Sequence, residues 1–164
     1  MGQFNAKILA EFQPPRKWKL GRDLTYTTTK LMGDEIKALQ DIGVDVKRDT
    51  DISPEASITV PTDFMTDLAS TPRLLWAFIA PFDVARAAIV HDLLYKAIRK
   101  YRWTKGTIEE DKKLIKKAKV VADKVFHLAM KDADPKVSGW KIYSAWKAVD
   151  LFGRWSIIPN EKNI

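Results

Sequence analysis

The first third of the chain alternates apolar and polar positions in short runs that are typical of strands. Runs rich in β-branched and aromatic residues predict strands at residues 6–12, 24–29 and 56–60, and prolines follow the first and the last of them. Residues 34–50 fit two interpretations, since they could form a short helix over 34–40 or an insertion in the sheet.

The remaining two thirds show the longer spacing of helices. Thr71-Pro72 is a cap residue followed by proline, Asp83 is a second cap candidate, and residues 107–110 have the pattern of a capping box. Ser138 opens a last apolar run that we expect to stop at Gly153. The predicted helices span residues 71–80, 83–100, 107–134 and 138–153.

Strands first and helices afterwards predict an α+β fold. We expect a small antiparallel N-terminal β-sheet followed by a bundle of about four helices. The 164 residues suit a single domain, 1–164, with a strand-rich part at 1–66 and a helical part at 67–155 that carries the motifs.

Composition narrows the class of protein. The chain has no cysteine, which excludes a disulfide scaffold, thiolate metal sites and a cysteine nucleophile. The longest uncharged apolar run, residues 74–82, is far shorter than the about 20 residues that a spanning helix needs. The N-terminus lacks the pattern of a signal peptide, so we expect synthesis in the cytoplasm without export by a leader.

The net charge of +7 is unevenly distributed. Residues 1–67 carry nine Lys or Arg and eleven Asp or Glu, whereas the rest of the chain carries 19 and 10. The densest lysine cluster is Lys112, Lys113, Lys116, Lys117 and Lys119. Such a cluster is either a solvated helix face or a phosphate-binding surface. Nucleic acid is not the expected partner, because no recognition motif or stacking platform accompanies the charge.

His91 is the first candidate for chemistry. On a helix of 3.6 residues per turn it lies at the centre of an apolar stripe, and a buried imidazole needs a hydrogen-bond partner. It is either a structural histidine bound to a backbone carbonyl or a base oriented by a carboxylate. Asp123 lies at the border of the core stripe of the next helix, so the two side chains could meet across an antiparallel pair. His127, one turn after Asp123, could instead chelate a metal with it.

The loop at residues 60–73 combines acids, hydroxyl residues and an arginine. Asp67 either caps the following helix or points into a pocket shared with His91 and Asp92. Asp92 could hold a hard cation with oxygens from this loop. Arg73 either pairs with Asp67 or receives an anion.

Three segments together resemble a known family. They are residues 60–73, the stretch Ala87-Ala88-Ile89-Val90-His91-Asp92-Leu93-Leu94-Tyr95, and residues 122–130 with Ala122-Asp123-Lys124-Val125-Phe126. This combination is similar to a family of short bacteriophage and prophage proteins catalogued as domain of unknown function 1353. The resemblance implies a phage origin and no known activity.

A more distant resemblance is mechanistic. His-Asp-x-x-Tyr on one helix and Ala-Asp-x-x-Phe on the next are similar to the catalytic helix pair of phospholipases A2. The resemblance implies that His91 is the general base, Asp123 orients it, Tyr95 supports Asp123, and Asp92 binds Ca²⁺. Those enzymes also use a glycine-rich calcium loop, which this chain lacks, so Asp63 and Asp67 would take its place. Zn²⁺ is the less favoured metal, and no organic cofactor is expected.

Two function classes follow from these residues. The first is a phage-encoded, metal-assisted hydrolase acting on an ester or amide of the host envelope, either a lipid or peptidoglycan. The second is a non-enzymatic virion component, a tail or connector protein, in which the motif residues only lock the helix pair. Other virion proteins are the expected partners in either case, and the protein is made in the host cytoplasm and could enter the particle.

Overall fold

The α+β fold is confirmed by a computed structural model. It describes residues 2–15, 17–48, 54–66, 84–134 and 136–164. Seven strands are described: β1 Gln3–Phe4, β2 Ala10–Gln13, β3 Lys17–Leu20, β4 Leu24–Thr28, β5 Val46–Arg48, β6 Ala56–Val60 and β7 Met65–Thr66. Four helices are described: α1 Gly33–Asp41, α2 Ala85–Lys105, α3 Glu109–Lys131 and α4 Gly139–Ser156. The helix predicted at 71–80 and the cap predicted at Asp83 lie outside the described residues.

The strands form two small antiparallel sheets rather than one. The larger sheet has the order β1-β4-β6-β5, and the smaller has the order β2-β3-β7. Both β4 and β6 alternate buried and half-buried positions, because one face of their sheet is covered by the helical layer. Tyr26 lies opposite Ile58 and Leu24 opposite Val60, so the buried side chains of the two strands align on the same face.

The ambiguous stretch after β4 forms a helix. Glu35 accepts a hydrogen bond from the backbone N–H of Met32, at 2.9 Å, which closes the first turn of α1. The same carboxylate pairs with Lys124 at 2.7 Å and so attaches α1 to α3. The short-helix interpretation of residues 34–40 is therefore confirmed, and the helix is an extra element between β4 and β5.

Helix α2 lies across the larger sheet and pairs with α3. It contacts β4 and β6 on one side and α3 on the other, and only residues 106–108 join the two helices. A connection this short makes the pair antiparallel. Helix α4 then packs against α3. One apolar core runs through both the sheet and the helices.

Several predicted helix bounds differ from the structure. Helix α2 continues to Lys105, past the predicted end at residue 100, and α3 ends at Lys131 and not at 134. The capping box at residues 107–110 is wrong, because the residue at the cap of α3 is Ile108 and makes no side-chain cap hydrogen bond. Gly153 does not end α4, which continues to Ser156. Ser138 is confirmed as the residue at the start of α4. No helix among the described residues is long and apolar enough to cross a membrane.

The central strand of the larger sheet provides a test of this core. Ile58 is fully buried between β4 and the helical layer, so we expect Ile58→Ala to lower the free energy of unfolding by about 2–5 kcal/mol through lost burial and a cavity. Lys47→Ala on the exposed side of β5 should change it by no more than about 0.5 kcal/mol. Urea unfolding measures both, and a similar small loss in both variants would contradict this packing.

Candidate active site

Two side chains meet where α2 and α3 pack together. His91 lies in the first half of α2 and Asp123 in the second half of α3, and the antiparallel arrangement brings them to the same level. The Nε2 atom of His91 lies 3.1 Å from Oδ1 of Asp123. Only 8% of His91 and 3% of Asp123 is exposed. The pairing predicted between these helices is therefore present and buried.

Tyr95 joins this pair from the turn of α2 that follows His91. Its hydroxyl donates to the same Oδ1 of Asp123 at 2.7 Å. The ring centres of His91 and Tyr95 lie 4.0 Å apart. The ring centre of Phe126, on α3, lies 4.8 Å from that of His91. These contacts hold the imidazole in one orientation.

Lys119 belongs to this site, although the sequence placed it only in the lysine cluster. Its ammonium lies 2.7 Å from Oδ2 of Asp123 and donates to the backbone carbonyl of Asp150 at 3.2 Å. The side chain of Lys119 is only 12% exposed. The i, i+4 spacing from Lys119 to Asp123 was the available signal, but this spacing is also common on solvated helix faces.

The partners of Asp123 keep it ionised inside the protein. Burial raises the pKa of the Asp123 carboxyl, but contacts with His91, Lys119 and Tyr95 lower it by more, so its pKa lies below the ordinary 3.8. Burial, followed by the charge and the hydrogen bond of Asp123, raises the pKa of the Tyr95 hydroxyl well above 10. Tyr95 therefore stays protonated and donates.

An ionised carboxylate only accepts hydrogen bonds, so Nε2 of His91 must carry the proton of their shared bond. In the neutral imidazole this leaves Nδ1 without a proton and able to accept one. Asp123 thus selects the tautomer as well as the orientation of His91.

Gly153 of α4 makes room for this group. A Cβ atom at this position would clash with the hydroxyl oxygen of Tyr95 and would lie 3.2 Å from Cε of Lys119. Position 153 therefore needs a glycine because the side chains of Tyr95 and Lys119 lie against its backbone, and not because the chain turns there. The helix continues through it to Ser156.

His91 also lines a cavity of about 380 Å³. Its described walls come from β3, β7, the three helices α2, α3 and α4, and the residues after α4. Four of its described lining residues are basic and one is acidic: Lys17, Lys96, Arg99 and Lys162 against Asp92. The described part of this cavity therefore favours a ligand that carries negative charge.

Asp92 is the carboxylate that the structure brings to this cavity. The residue is half-buried, and the hydroxyl of the buried Thr66 donates to Oδ2 of Asp92. Thr66 is positioned by the pairing of β7 with β3, where it lies opposite Trp18. The smaller sheet thus orients the residue next to His91.

The other predicted ligands are elsewhere or outside the described residues. Asp63 is exposed in a turn with a φ of 68°, where its carboxylate pairs with Lys19 at 2.7 Å, and it is not part of the described cavity wall. Asp67 and Arg73 lie outside the described residues. Within the described ranges, no three His, Asp or Glu side chains form a group that could hold a metal ion.

His127 packs against an aromatic ring instead of pairing with Asp123. Its ring lies 5.5 Å from that of Trp146 in an edge-on arrangement, and its buried Nδ1 has no hydrogen-bond partner among the described residues. Burial, with a smaller effect of Lys131, lowers the pKa of His127 below 6.5. Its environment is that of a neutral, packed histidine.

The lysine cluster on α3 is partly used in ion pairs. Lys112 pairs with Glu109 at 3.3 Å and Lys117 with Asp34 at 2.9 Å, and Lys119 is the buried partner of Asp123. These pairs account for three of the five lysines, and phosphate binding by the cluster stays a prediction.

The comparisons with known proteins give one match. A family model described as "Protein of unknown function (DUF1353)" matches residues 43–149, which is more than half of the chain and includes His91, Tyr95 and Asp123. No curated protein and no solved structure matches.

The buried ion pair gives a testable difference between two lysines of α3. Lys119→Met removes the cation next to a buried carboxylate, so we expect a loss of about 3 kcal/mol in the free energy of unfolding. Lys117→Met breaks an exposed pair and should cost at most about 1 kcal/mol. Urea unfolding compares them, and equal losses would contradict the buried network.

The lowered pKa of Asp123 predicts how stability depends on pH. A carboxyl with a lowered folded pKa stabilises the protein above its unfolded pKa, and this contribution is lost as pH falls from about 3.8 through the folded value. The stability difference between the wild type and Asp123→Asn should therefore be larger at about pH 5 than at about pH 3. Denaturant titrations at the two pH values measure it, and a constant difference would contradict the assignment.

Proposed function

This chain belongs to the DUF1353 family, and we propose that it is a phage-encoded, metal-assisted hydrolase that uses a His91–Asp123 dyad on an ester or amide of the host envelope. The observation that supports this most is that His91 binds a buried carboxylate and also lines a cavity. Its Nε2 is bound to a buried, ionised Asp123, while its ring lines a cavity of about 380 Å³.

The reaction would begin with a water molecule between Nδ1 of His91 and the substrate carbonyl. Nδ1 takes a proton from the water, and the hydroxyl oxygen forms a bond to the carbonyl carbon. The imidazolium that results is stabilised by Asp123, which is fixed by Tyr95 and Lys119. His91 then gives its proton to the leaving oxygen or nitrogen as the bond to carbon breaks.

Calcium is the cofactor we propose, and the described residues supply only part of a site for it. Asp92 would hold it, because its carboxylate lines the cavity beside His91 and carboxylate oxygens suit a hard cation. Asp67 remains the proposed second ligand, and Asp63 would have to give up its pair with Lys19. When bound, the cation polarises a carbonyl and stabilises negative charge on its oxygen.

The lining of the cavity supports an anionic substrate. Lys96 and Arg99 follow His91 along the same helix, and both line the cavity. An ester next to a phosphate, as in a phospholipid, or an amide next to a carboxylate, as in peptidoglycan, matches this charge.

The alternative is a non-enzymatic virion component with other virion proteins as partners. The network supports this alternative as well, because His91, Tyr95 and Lys119 join α2 and α3 around Asp123, and Gly153 of α4 packs directly onto them. The two functions predict different effects, on hydrolysis or on stability, for a substitution that removes the imidazole of His91.

A substitution at His91 separates the two functions. We expect His91→Gln to lower ester or amide hydrolysis by about 10²–10⁴-fold, because the general base is lost, while the protein stays folded. Release of fatty acid from phosphatidylglycerol vesicles and release of peptide from peptidoglycan, each with added Ca²⁺, measure the activity. If the wild type hydrolyses neither substrate and His91→Gln melts at a lower temperature than the wild type, the structural function is favoured.

His127→Gln is the matched control, since His127 is the second histidine of the chain and does not line the cavity in the described residues. It should keep the activity of the wild type. The metal is tested by imidazole NMR of His91 with and without Ca²⁺ or Zn²⁺. A metal-dependent change that disappears in Asp92→Asn supports the metal site, and resonances that ignore both metals would contradict it.

A further inference from the structure

Helix α4 leaves an unusual number of large apolar side chains in solvent. Trp140 is 56% exposed, Leu151 59% and Trp155 53%. Counted at 100° per residue, these three lie within about 60° of one another on the helix. The buried residues of α4, which are Ile142, Ala145, Val149 and Gly153, lie on the opposite side. We call the outward side, with Trp140, Leu151 and Trp155, the α4 aromatic face.

A cationic side chain lies over one of these rings, since Arg154 lies 4.3 Å from the ring centre of Trp155. A second cation–ring contact, Lys147 at 4.9 Å from the ring centre of the half-buried Trp146, lies beside the face and not on it. Residues 136–164 contain five Lys or Arg and two Asp or Glu. The face therefore presents apolar rings and positive charge together.

The α4 aromatic face borders the cavity. Phe152, on the next side of the helix, is 49% exposed and is also part of the cavity wall. Ser156, one turn later, lines the cavity too. A surface that covered the α4 aromatic face would therefore lie beside the wall of the cavity that His91 also lines.

We infer that the α4 aromatic face binds the surface of an anionic lipid bilayer. Trp and Tyr with adjacent Lys and Arg are the residues that occupy the headgroup region of membranes, where rings insert and cations meet phosphates. A protein partner fits this segment less well, because four of the five basic residues in 136–164 are lysines, and lysine is depleted at protein interfaces. The inference deepens the proposed function by naming a lipid surface as the place where the cavity acts, and it rests on that function only for this last step.

Vesicle co-sedimentation at two salt concentrations tests the binding. The full chain should bind vesicles of phosphatidylglycerol and phosphatidylcholine, bind phosphatidylcholine alone much more weakly, and lose affinity as salt rises. Leu151→Ala with Trp155→Ala should weaken binding at least about tenfold, because two buried side chains are lost. Arg154→Gln should weaken it about fivefold, the effect of one charge near an anionic surface.

Matched controls remove the same groups elsewhere. Trp103→Ala on α2 deletes a tryptophan that is 52% exposed, and Lys116→Gln on α3 removes an exposed charge. Both should bind the anionic vesicles within about twofold of the wild type. Equal losses in the controls, or no binding of the wild type to anionic vesicles, would overturn the inference.

Two further outcomes keep this inference separate from the proposed hydrolase. His91→Gln should bind vesicles as the wild type does. If the wild type binds vesicles but hydrolyses no lipid, the lipid-binding inference stands and the proposed hydrolase is contradicted. Sedimentation that shows self-association, abolished by Leu151→Ala with Trp155→Ala and without vesicle binding, would assign the face to a second copy and overturn the lipid inference.

Discussion

A charge buried between helices is the constraint around which the helical part of this protein is arranged. Asp123 is 3% exposed yet ionised, which is tolerable only because its neighbours supply compensating donors. His91 and Tyr95 approach one oxygen from α2, and Lys119 approaches the other from the preceding turn of α3. A slip of α2 by one residue along α3 would break these contacts, so the carboxylate fixes how the two helices align.

The same residue that binds Asp123 also borders a cavity. Asp123 occupies Nε2 of His91, and His91 is part of the wall of a cavity whose other walls come from distant parts of the chain. The smaller sheet contributes Thr66, which orients Asp92, and α4 contributes Gly153, which admits Tyr95. The elements that stabilise the buried charge are thus also the elements that enclose the space next to it.

The sequence predicted well those elements that local patterns control. Strands β4 and β6 lie where alternation placed them, and helix α1 is one of the two interpretations that residues 34–50 allowed. The division of the strands into two sheets was not predictable, because pairing depends on which distant strands meet, and β7 has only two residues. Gly153 misled for a related reason. A glycine near a helix end usually stops the helix, but this one is kept small by the hydroxyl of Tyr95.

By itself the sequence determined the fold class, and it offered Asp123 as one of two kinds of partner for His91, since helix spacing and a short connection can bring the two side chains together. Only the tertiary structure decided the role of Lys119, whose spacing from Asp123 is that of many solvated pairs. Only the tertiary structure also separated Asp92, which lies at the cavity, from Asp63, which pairs with Lys19 in solvent. The physical reason is that the burial of a side chain depends on what packs around it and not on its neighbours in sequence. Burial in turn sets the strength of the electrostatic interactions that the side chain makes.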